Sequence, residues 1–259
     1  MLLNAGCQLS VDAQAISPVI LMLRPQSGQA QQVTAADLTF TPMTPVHEFR
    51  DGFGNSCQRI LLQPGRTEIK STCTVESPDE IDAHPQAGYT LIQDLPDDVL
   101  TYLLPSRYCQ HDLLQDLAKE VAGAASPGYG QADAIRAWIR QNIAYEYGTS
   151  NASTSAVETS RTRTGVCRDY AHMGIALCRA LRIPARMVMG YLLGLDPMDL
   201  HAWFEAFVGG RWYTFDPTQP EPRGNRIVMG FGRDAADIAH MSEYGPAKIS
   251  QMSVWVNQA

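Results

Sequence analysis

Short apolar runs separated by proline and glycine make up most of the first hundred residues. The runs are rich in Val, Ile, Phe, Thr and Leu, and turn residues recur between them at steady intervals, a pattern typical of strands. The candidate strands are Ile16–Leu23, Gln32–Thr41, Val46–Arg50, Cys57–Gln63 and Thr67–Glu76. Asp51–Asn55 joins two of them with residues that tolerate positive φ. Residues 1–104 are therefore predicted to form a small antiparallel β-sandwich.

The hydrophobic period changes from two to about 3.6 beyond Pro105. Apolar residues recur at helical spacing over residues 113–121 and, after a Gly/Pro/Ser-rich linker, over residues 134–142. This change predicts a second unit over residues 105–259. Residues 147–164 are polar and rich in Ser and Thr, so they are predicted to form a long loop, a kind of segment that is often functional.

A third helical pattern runs from Thr164 to Leu181 and places Cys167 in its first turn. Unpaired backbone N–H groups and the positive end of the helix dipole favour a thiolate at that position. The chain has six cysteines and no Cys-x-x-Cys pair, which argues against a disulfide scaffold or a zinc finger. Cys167 is therefore the candidate nucleophile, and Cys178, on the apolar face, is predicted to lie in the core.

A nucleophilic cysteine needs a base and a group that orients the base. Both occur on one predicted hairpin, in which Gly209-Gly210 joins two strand-like runs. A two-residue turn there pairs Trp203 with Asp216. It also puts His201 and Asp216 on one face as diagonal neighbours about 7–8 Å apart. His201 is thus the candidate base and Asp216 the candidate orienting carboxylate.

Two alternatives use His172, which follows Cys167 by five residues. On a helix that spacing turns the side chain about 140° away from the thiol, so His172 is predicted to pack rather than to act as the base. A zinc site of Cys167, His172 and His201 has suitable ligand types but lacks the close-paired spacing of zinc motifs. No metal or other cofactor is predicted.

Charge and hydropathy exclude several classes of function. The formal net charge is −7 and the pI about 5.3, so the chain lacks the clustered Lys and Arg that bind nucleic acid. No run approaches the roughly 20 apolar residues of a membrane helix. The first residues do not form a secretory signal, and a cytoplasmic location is expected.

The motifs taken together resemble a known family. They are Gly165–His172, Ile183–Arg186, Gly190-Tyr191, His201-Ala202-Trp203 and Phe215–Thr218. In order and spacing they are similar to the transglutaminase core of bacterial transglutaminase-like proteins, relatives of the papain-like cysteine proteases. Phe49–Asn55, Leu62–Gly65 and Gly232–Asp237 resemble the β-rich N-terminal domain and the tail of the same proteins. Gly232–Asp237 is predicted to form a turn and a helix start, with Arg233 and Asp234 solvated or in a salt bridge.

The resemblance implies an α+β fold in which a β-sandwich precedes a papain-like core, with the cysteine helix packed on an antiparallel sheet. It also implies that Cys167 is the nucleophile, His201 the base and acid, and Asp216 the orienting group. The oxyanion is expected to bind the backbone N–H of Cys167 and one further donor. Tyr145, Tyr147 and Asn151 are unranked candidates for that donor.

Three functions remain open at this point. The leading hypothesis is a cysteine hydrolase that cleaves amide bonds in a peptide or protein substrate. The alternatives are a transglutaminase-type acyltransferase and a non-catalytic binding module. The sandwich is expected to border the cleft, and the sequence does not indicate an oligomeric state.

Overall fold

The computed structural model describes residues 1–28 and 31–259 as an α+β fold. The strands are β1 (Leu2–Ala13), β2 (Ser17–Leu21), β3 (Gln32–Thr41), β4 (Val46–Arg50), β5 (Ser56–Leu62), β6 (Gly65–Glu76), β7 (Ala144–Tyr145), β8 (Thr164–Gly165), β9 (Ala185–Leu192), β10 (His201–Val208), β11 (Arg211–Phe215), β12 (Arg226–Gly232), β13 (Met241–Glu243) and β14 (Ala247–Gln258). The α-helices are α1 (Gln115–Ala122), α2 (Tyr129–Asn142), α3 (Ala156–Thr162) and α4 (Cys167–Ala180). Short 3₁₀ turns lie at Ile92–Asp94, Leu100–Leu103 and His111–Leu113.

The predicted sandwich is present as two four-stranded antiparallel sheets. One has the order β14-β1-β6-β3 and the other the order β13-β2-β5-β4. All five strands expected in the N-terminal part appear, as β2 to β6. Buried side chains of the two sheets, such as Leu9 and Leu62, belong to one hydrophobic core. The α+β prediction is confirmed.

Strand β1 is central in its sheet, although it is not among the predicted strands. Its odd-numbered apolar residues are buried from Leu3 to Val11, whereas Asn4 and Gln8 are exposed. This period of two is the local sequence signal of a strand. β14 pairs with β1, and β13 pairs with β2. The sandwich is thus built from both ends of the chain, and the division near residue 104 stays a prediction.

The second unit contains a four-stranded antiparallel sheet of order β11-β10-β9-β12, on which α4 packs. α4 approaches β10 closely because it carries Gly174 at the contact. A Cβ atom added there would lie 2.3 Å from the ring of Phe204. This packing fixes the start of α4 relative to the start of β10.

Two local predictions need correction. Residues 147–164 are not one long loop, because they contain α3, which begins after a capping box in which the Glu158 carboxylate accepts from the Ser155 N–H at 2.8 Å. Gly232–Asp237 forms the predicted turn, but no helix starts there, and Asp234 is buried and accepts from the N–H of Tyr108 at 2.7 Å. Among the described residues, no helix has the length and hydropathy needed to cross a membrane.

Candidate active site

The β10–β11 hairpin has the predicted register. Val208 pairs with Arg211 and Phe204 with Phe215, and Gly209 and Gly210 both have positive φ, at 57° and 82°. Few residues other than glycine adopt two such conformations in succession. The turn therefore sets which side chains share a face, and it brings His201 and Asp216 together.

His201 and Asp216 form a buried hydrogen-bonded pair. The imidazole Nε2 lies 2.8 Å from Asp216 Oδ2, and the two side chains are 4% and 2% exposed. The other oxygen, Oδ1, accepts from the N–H of Thr218 at 3.0 Å and from its Oγ1 at 2.7 Å. Arg226 Nη1 lies 2.8 Å from Oδ2. The carboxylate is therefore held on both oxygens.

These contacts determine the charges of the pair. Burial alone raises the pKa of Asp216, but the positive charges of His201 and Arg226 outweigh it and hold that pKa well below its usual range. Burial alone lowers the pKa of His201, but Asp216, with a smaller contribution from Cys167, raises it to about 9. His201 is thus an imidazolium at neutral pH, ion-paired with a carboxylate.

Cys167 lies against this imidazole as the first residue of α4. Asp169 accepts from the N–H of Val166 at 2.9 Å and so caps the helix start. Gly165 is required beside it, since a Cβ atom there would lie 2.8 Å from Cβ of Asp169. The N–H of Cys167 has no partner within the helix and points out of its first turn. A thiol, a helix N-terminus and an imidazolium are therefore adjacent.

Cys167 also differs from the other cysteines in exposure. It is half-buried, whereas Cys7, Cys57, Cys73, Cys109 and Cys178 are buried. Burial raises the pKa of both Cys73 and Cys109 to about 12. Those two thiols stay protonated at neutral pH, and Cys178 lies in the core as predicted.

The candidates for the second oxyanion donor occupy different environments. Burial, and then the Cys167 thiol, raise the pKa of Tyr145. A hydrogen bond with the backbone N–H of Cys167 lowers it. The phenol of Tyr145 therefore lies beside this N–H. Asn151 instead accepts from the N–H and hydroxyl of Ser153, at 2.8 and 2.7 Å, and Tyr147 is 60% exposed. Tyr145 is the candidate nearest the nucleophile.

A cleft of about 210 Å³ opens beside His201. Tyr145, Tyr147 and Tyr170 form an aromatic wall, and the segment from Leu195 to Leu200 contributes most of another side. The described residues that line it lie between 140 and 219. The expectation that the sandwich borders this cleft is therefore wrong.

His172 packs away from the site. It is fully buried, stacks on Tyr108 with ring centroids 5.0 Å apart, and accepts from the N–H of Ala235 at 3.2 Å. Burial lowers its pKa to about 4, so it is neutral. Within residues 1–28 and 31–259, no group of three or more His, Cys, Asp or Glu side chains is arranged to hold a metal ion.

Arg226 was not found from the sequence. It comes from β12, and its guanidinium carbon lies 4.9 Å from the Trp203 ring centroid. Trp203 is 1% exposed, and its ring centroid lies 5.9 Å from that of His201. A lone arginine near a strand start gives no local signal, because its pairing with Asp216 depends on the order of strands in the sheet.

Comparison with known proteins agrees with this fold. The profile of the transglutaminase-like superfamily matches residues 115–217, and that of the bacterial transglutaminase-like N-terminal region matches residues 12–76. A candidate cysteine protease from Cytophaga hutchinsonii has a crystal structure that superposes with a TM-score of 0.91 at 35% identity, over 99% of this chain and 90% of that one.

Two mycobacterial relatives extend the comparison. An uncharacterized protein of Mycobacterium leprae is 28% identical over 84% of this chain and 82% of its own length. An uncharacterized protein of Mycobacterium tuberculosis is 29% identical over 83% of this chain and 77% of its own. Together with the Cytophaga structure and the two profiles, these matches show that the chain belongs to the transglutaminase-like superfamily.

Proposed function

We propose that this protein is a cysteine-dependent hydrolase that cleaves amide bonds in peptides or proteins. The observation that carries the proposal is the position of His201, whose imidazolium hydrogen-bonds Asp216 and lies against the thiol of Cys167. An imidazolium beside a thiol at a helix N-terminus supports a reactive thiolate. The likeness to a candidate cysteine protease supports the same reading.

In the proposed reaction, Sγ of Cys167 attacks the amide carbon and forms a tetrahedral intermediate. The N–H of Cys167 and the hydroxyl of Tyr145 donate to its oxyanion. His201 then donates its proton to the amide nitrogen, the C–N bond breaks, and an amine leaves. A water molecule, deprotonated by His201, attacks the thioester and releases a carboxylic acid and the thiolate, which restores the imidazolium–thiolate pair. Asp216 keeps the imidazole oriented through both steps.

The proposal is tested first by alkylation. We expect limiting iodoacetamide to modify Cys167 selectively at pH 5–7, as read by intact mass and peptide mapping, because an ion-paired thiolate reacts where ordinary thiols are protonated. His201→Ala should remove this low-pH reaction. Cys178→Ala is the matched control, since it alters a buried thiol of the same helix and should leave the labelling unchanged. Equally slow labelling of Cys167 in wild type and in His201→Ala would favour a non-catalytic binding module.

The products then separate hydrolysis from acyl transfer. A glutamine-containing peptide is incubated with the protein and a primary amine, and mass spectrometry measures chain cleavage, deamidation and amine incorporation. Chain cleavage that requires Cys167 supports the hydrolase. Amine incorporation without cleavage supports the transglutaminase-type alternative, because the second nucleophile decides the product of an acyl-enzyme.

A further inference from the structure

A second cavity, of about 820 Å³, lies between the sandwich and the β11-β10-β9-β12 sheet. Residues of the sandwich, including Arg50 and Asn55, face residues of the core sheet such as Trp203 and Arg226. None of its described lining residues also lines the cleft beside His201. Its volume is in the range that holds small organic ligands.

Two buried donor groups on the cavity wall lack partners. Arg226 has a side chain that is 7% exposed, and its Nη2 has no hydrogen-bond partner among residues 1–28 and 31–259. In the same part of the chain, the indole Nε1 of Trp203 also has none, and that residue is 1% exposed. A buried donor left unpaired costs about 1–3 kcal/mol, more if it is charged. Both donors therefore favour an acceptor supplied from outside the chain.

Three other charged groups of the wall form ion pairs, whereas the exposed side chains of Arg50 and Glu80 form none among residues 1–28 and 31–259. Arg186 and Glu205 form a buried ion pair with Nη2 2.6 Å from Oε2, and Arg211 pairs with Asp82 at the rim. Arg50 donates to the carbonyl of Gly54 at 2.9 Å. Among the described residues, Arg226 contacts a single carboxylate oxygen, Oδ2 of Asp216. It is thus a buried cation of this wall with capacity for another anion.

The cavity also offers aromatic surface. The rings of Phe53, Trp212 and Phe231 line it, and each of these residues is half-buried. The guanidinium carbon of Arg226 lies 4.9 Å from the Trp203 ring centroid, so the side chains that carry the two unpaired donors are neighbours. We propose that this cavity binds a small carboxylate with an aromatic body, held by Arg226 and Trp203 and packed against these rings.

Calorimetric titration tests the proposal with three probes, hippurate, phenylacetate and indole-3-acetate. We expect at least one to bind saturably, and its neutral amide to bind at least tenfold more weakly. Arg226→Gln should weaken carboxylate binding at least tenfold. Arg211→Gln, at the rim and paired with Asp82, is the matched control and should leave the affinity within about twofold. Equal binding of acid and amide, or full affinity in Arg226→Gln, would falsify the proposal, as would no saturable binding by any probe.

Two further measurements separate this site from the cleft and from misfolding. Protein alkylated at Cys167 should bind the probe with the same affinity as unmodified protein, whatever its hydrolytic activity. Loss of binding on alkylation would mean that the probe occupies the cleft beside His201, and it would overturn the proposal. Val228→Phe narrows the cavity without changing a charge. It should weaken binding while thermal unfolding remains cooperative, and unchanged affinity in this variant contradicts the site.

Discussion

Asp216 is a buried carboxylate with three positively charged or hydrogen-bonding neighbours. His201 and Arg226 lie at Oδ2, and Thr218 donates twice to Oδ1. A buried charge without such partners would be strongly destabilising. The arrangement keeps Asp216 ionised and His201 protonated, so the stability of the fold depends on the protonation state of the site.

The pH dependence of stability should report this pair. The pKa of His201 is about 9 in the folded chain, against about 6.5 for an unperturbed histidine. The folded state therefore binds the proton more tightly, and the contribution is complete below pH 6.5 and lost as the pH rises through 9. We expect the difference in unfolding free energy between wild type and His201→Ala to shrink by a few kcal/mol across that window.

Guanidinium chloride unfolding at pH 6, 7.5 and 9 measures this difference. His84→Ala, at an exposed histidine, is the control. Its free energy of unfolding should change with pH in the same way as that of wild type. Taking a difference cancels the titration of the five buried cysteines, which is common to the proteins compared. A wild-type minus His201→Ala difference that does not change with pH would contradict the raised pKa.

At the scale of elements, the site depends on how closely α4 lies on β10. Gly174 permits the contact with Phe204, which is fully buried. Alanine is ordinarily the better helix residue by about 1 kcal/mol. Here the added methyl meets a ring with no room to move, and overpacking of this kind costs about 1–3 kcal/mol.

We therefore expect Gly174→Ala to lower the unfolding free energy by about 1–3 kcal/mol and to slow alkylation of Cys167, because α4 carries the thiol. Chemical denaturation and the labelling rate measure the two effects. Gly52→Ala is the control, since a Cβ atom there meets nothing within 4 Å, and its stability should match wild type. A stabilised Gly174→Ala protein would mean that helix propensity outweighs the contact.

The parts of the site that sequence could predict are those fixed by local rules. Gly209-Gly210 determines the register of the hairpin, and the register brings His201 and Asp216 to one face. The position at which α4 begins could be predicted from the helical spacing of its apolar residues and from the capping residues before them. Arg226 could not be predicted in this way, because its approach to Asp216 depends on β12 pairing with β9 rather than with β11. The S-x-x-E capping box at the start of α3 is also a local pattern, and it predicts a helix within the segment that was expected to be a loop.

At the scale of the molecule, the sandwich requires strands from both ends of the chain. β1 lies between β14 and β6, and β2 lies between β13 and β5. Their pairings could not be predicted from local pattern, since β1 and β14 are far apart in sequence. Without β13 and β14, β1 and β2 would become exposed edges with unpaired N–H and C=O groups.

A fragment of residues 1–104 should therefore aggregate or stay unfolded when it is expressed alone, as read by size-exclusion chromatography and circular dichroism. Adding a separate peptide of residues 238–259 should shift it toward a folded, monomeric form, because that peptide contains both missing strands. A scrambled peptide of the same composition is the control. A fragment that folds cooperatively by itself would show that β13 and β14 are dispensable.

The position of β14 also has a consequence for the order of folding. During synthesis β1 and β6 emerge early, but β1 has no partner on its other side until the whole transglutaminase-like core has been made. Such non-local pairing slows folding and leaves a strand edge exposed in the meantime. The core therefore has time to form around α4 and its sheet before the sandwich closes. Until β14 pairs with β1, the open edge of β1 leaves the chain exposed to aggregation.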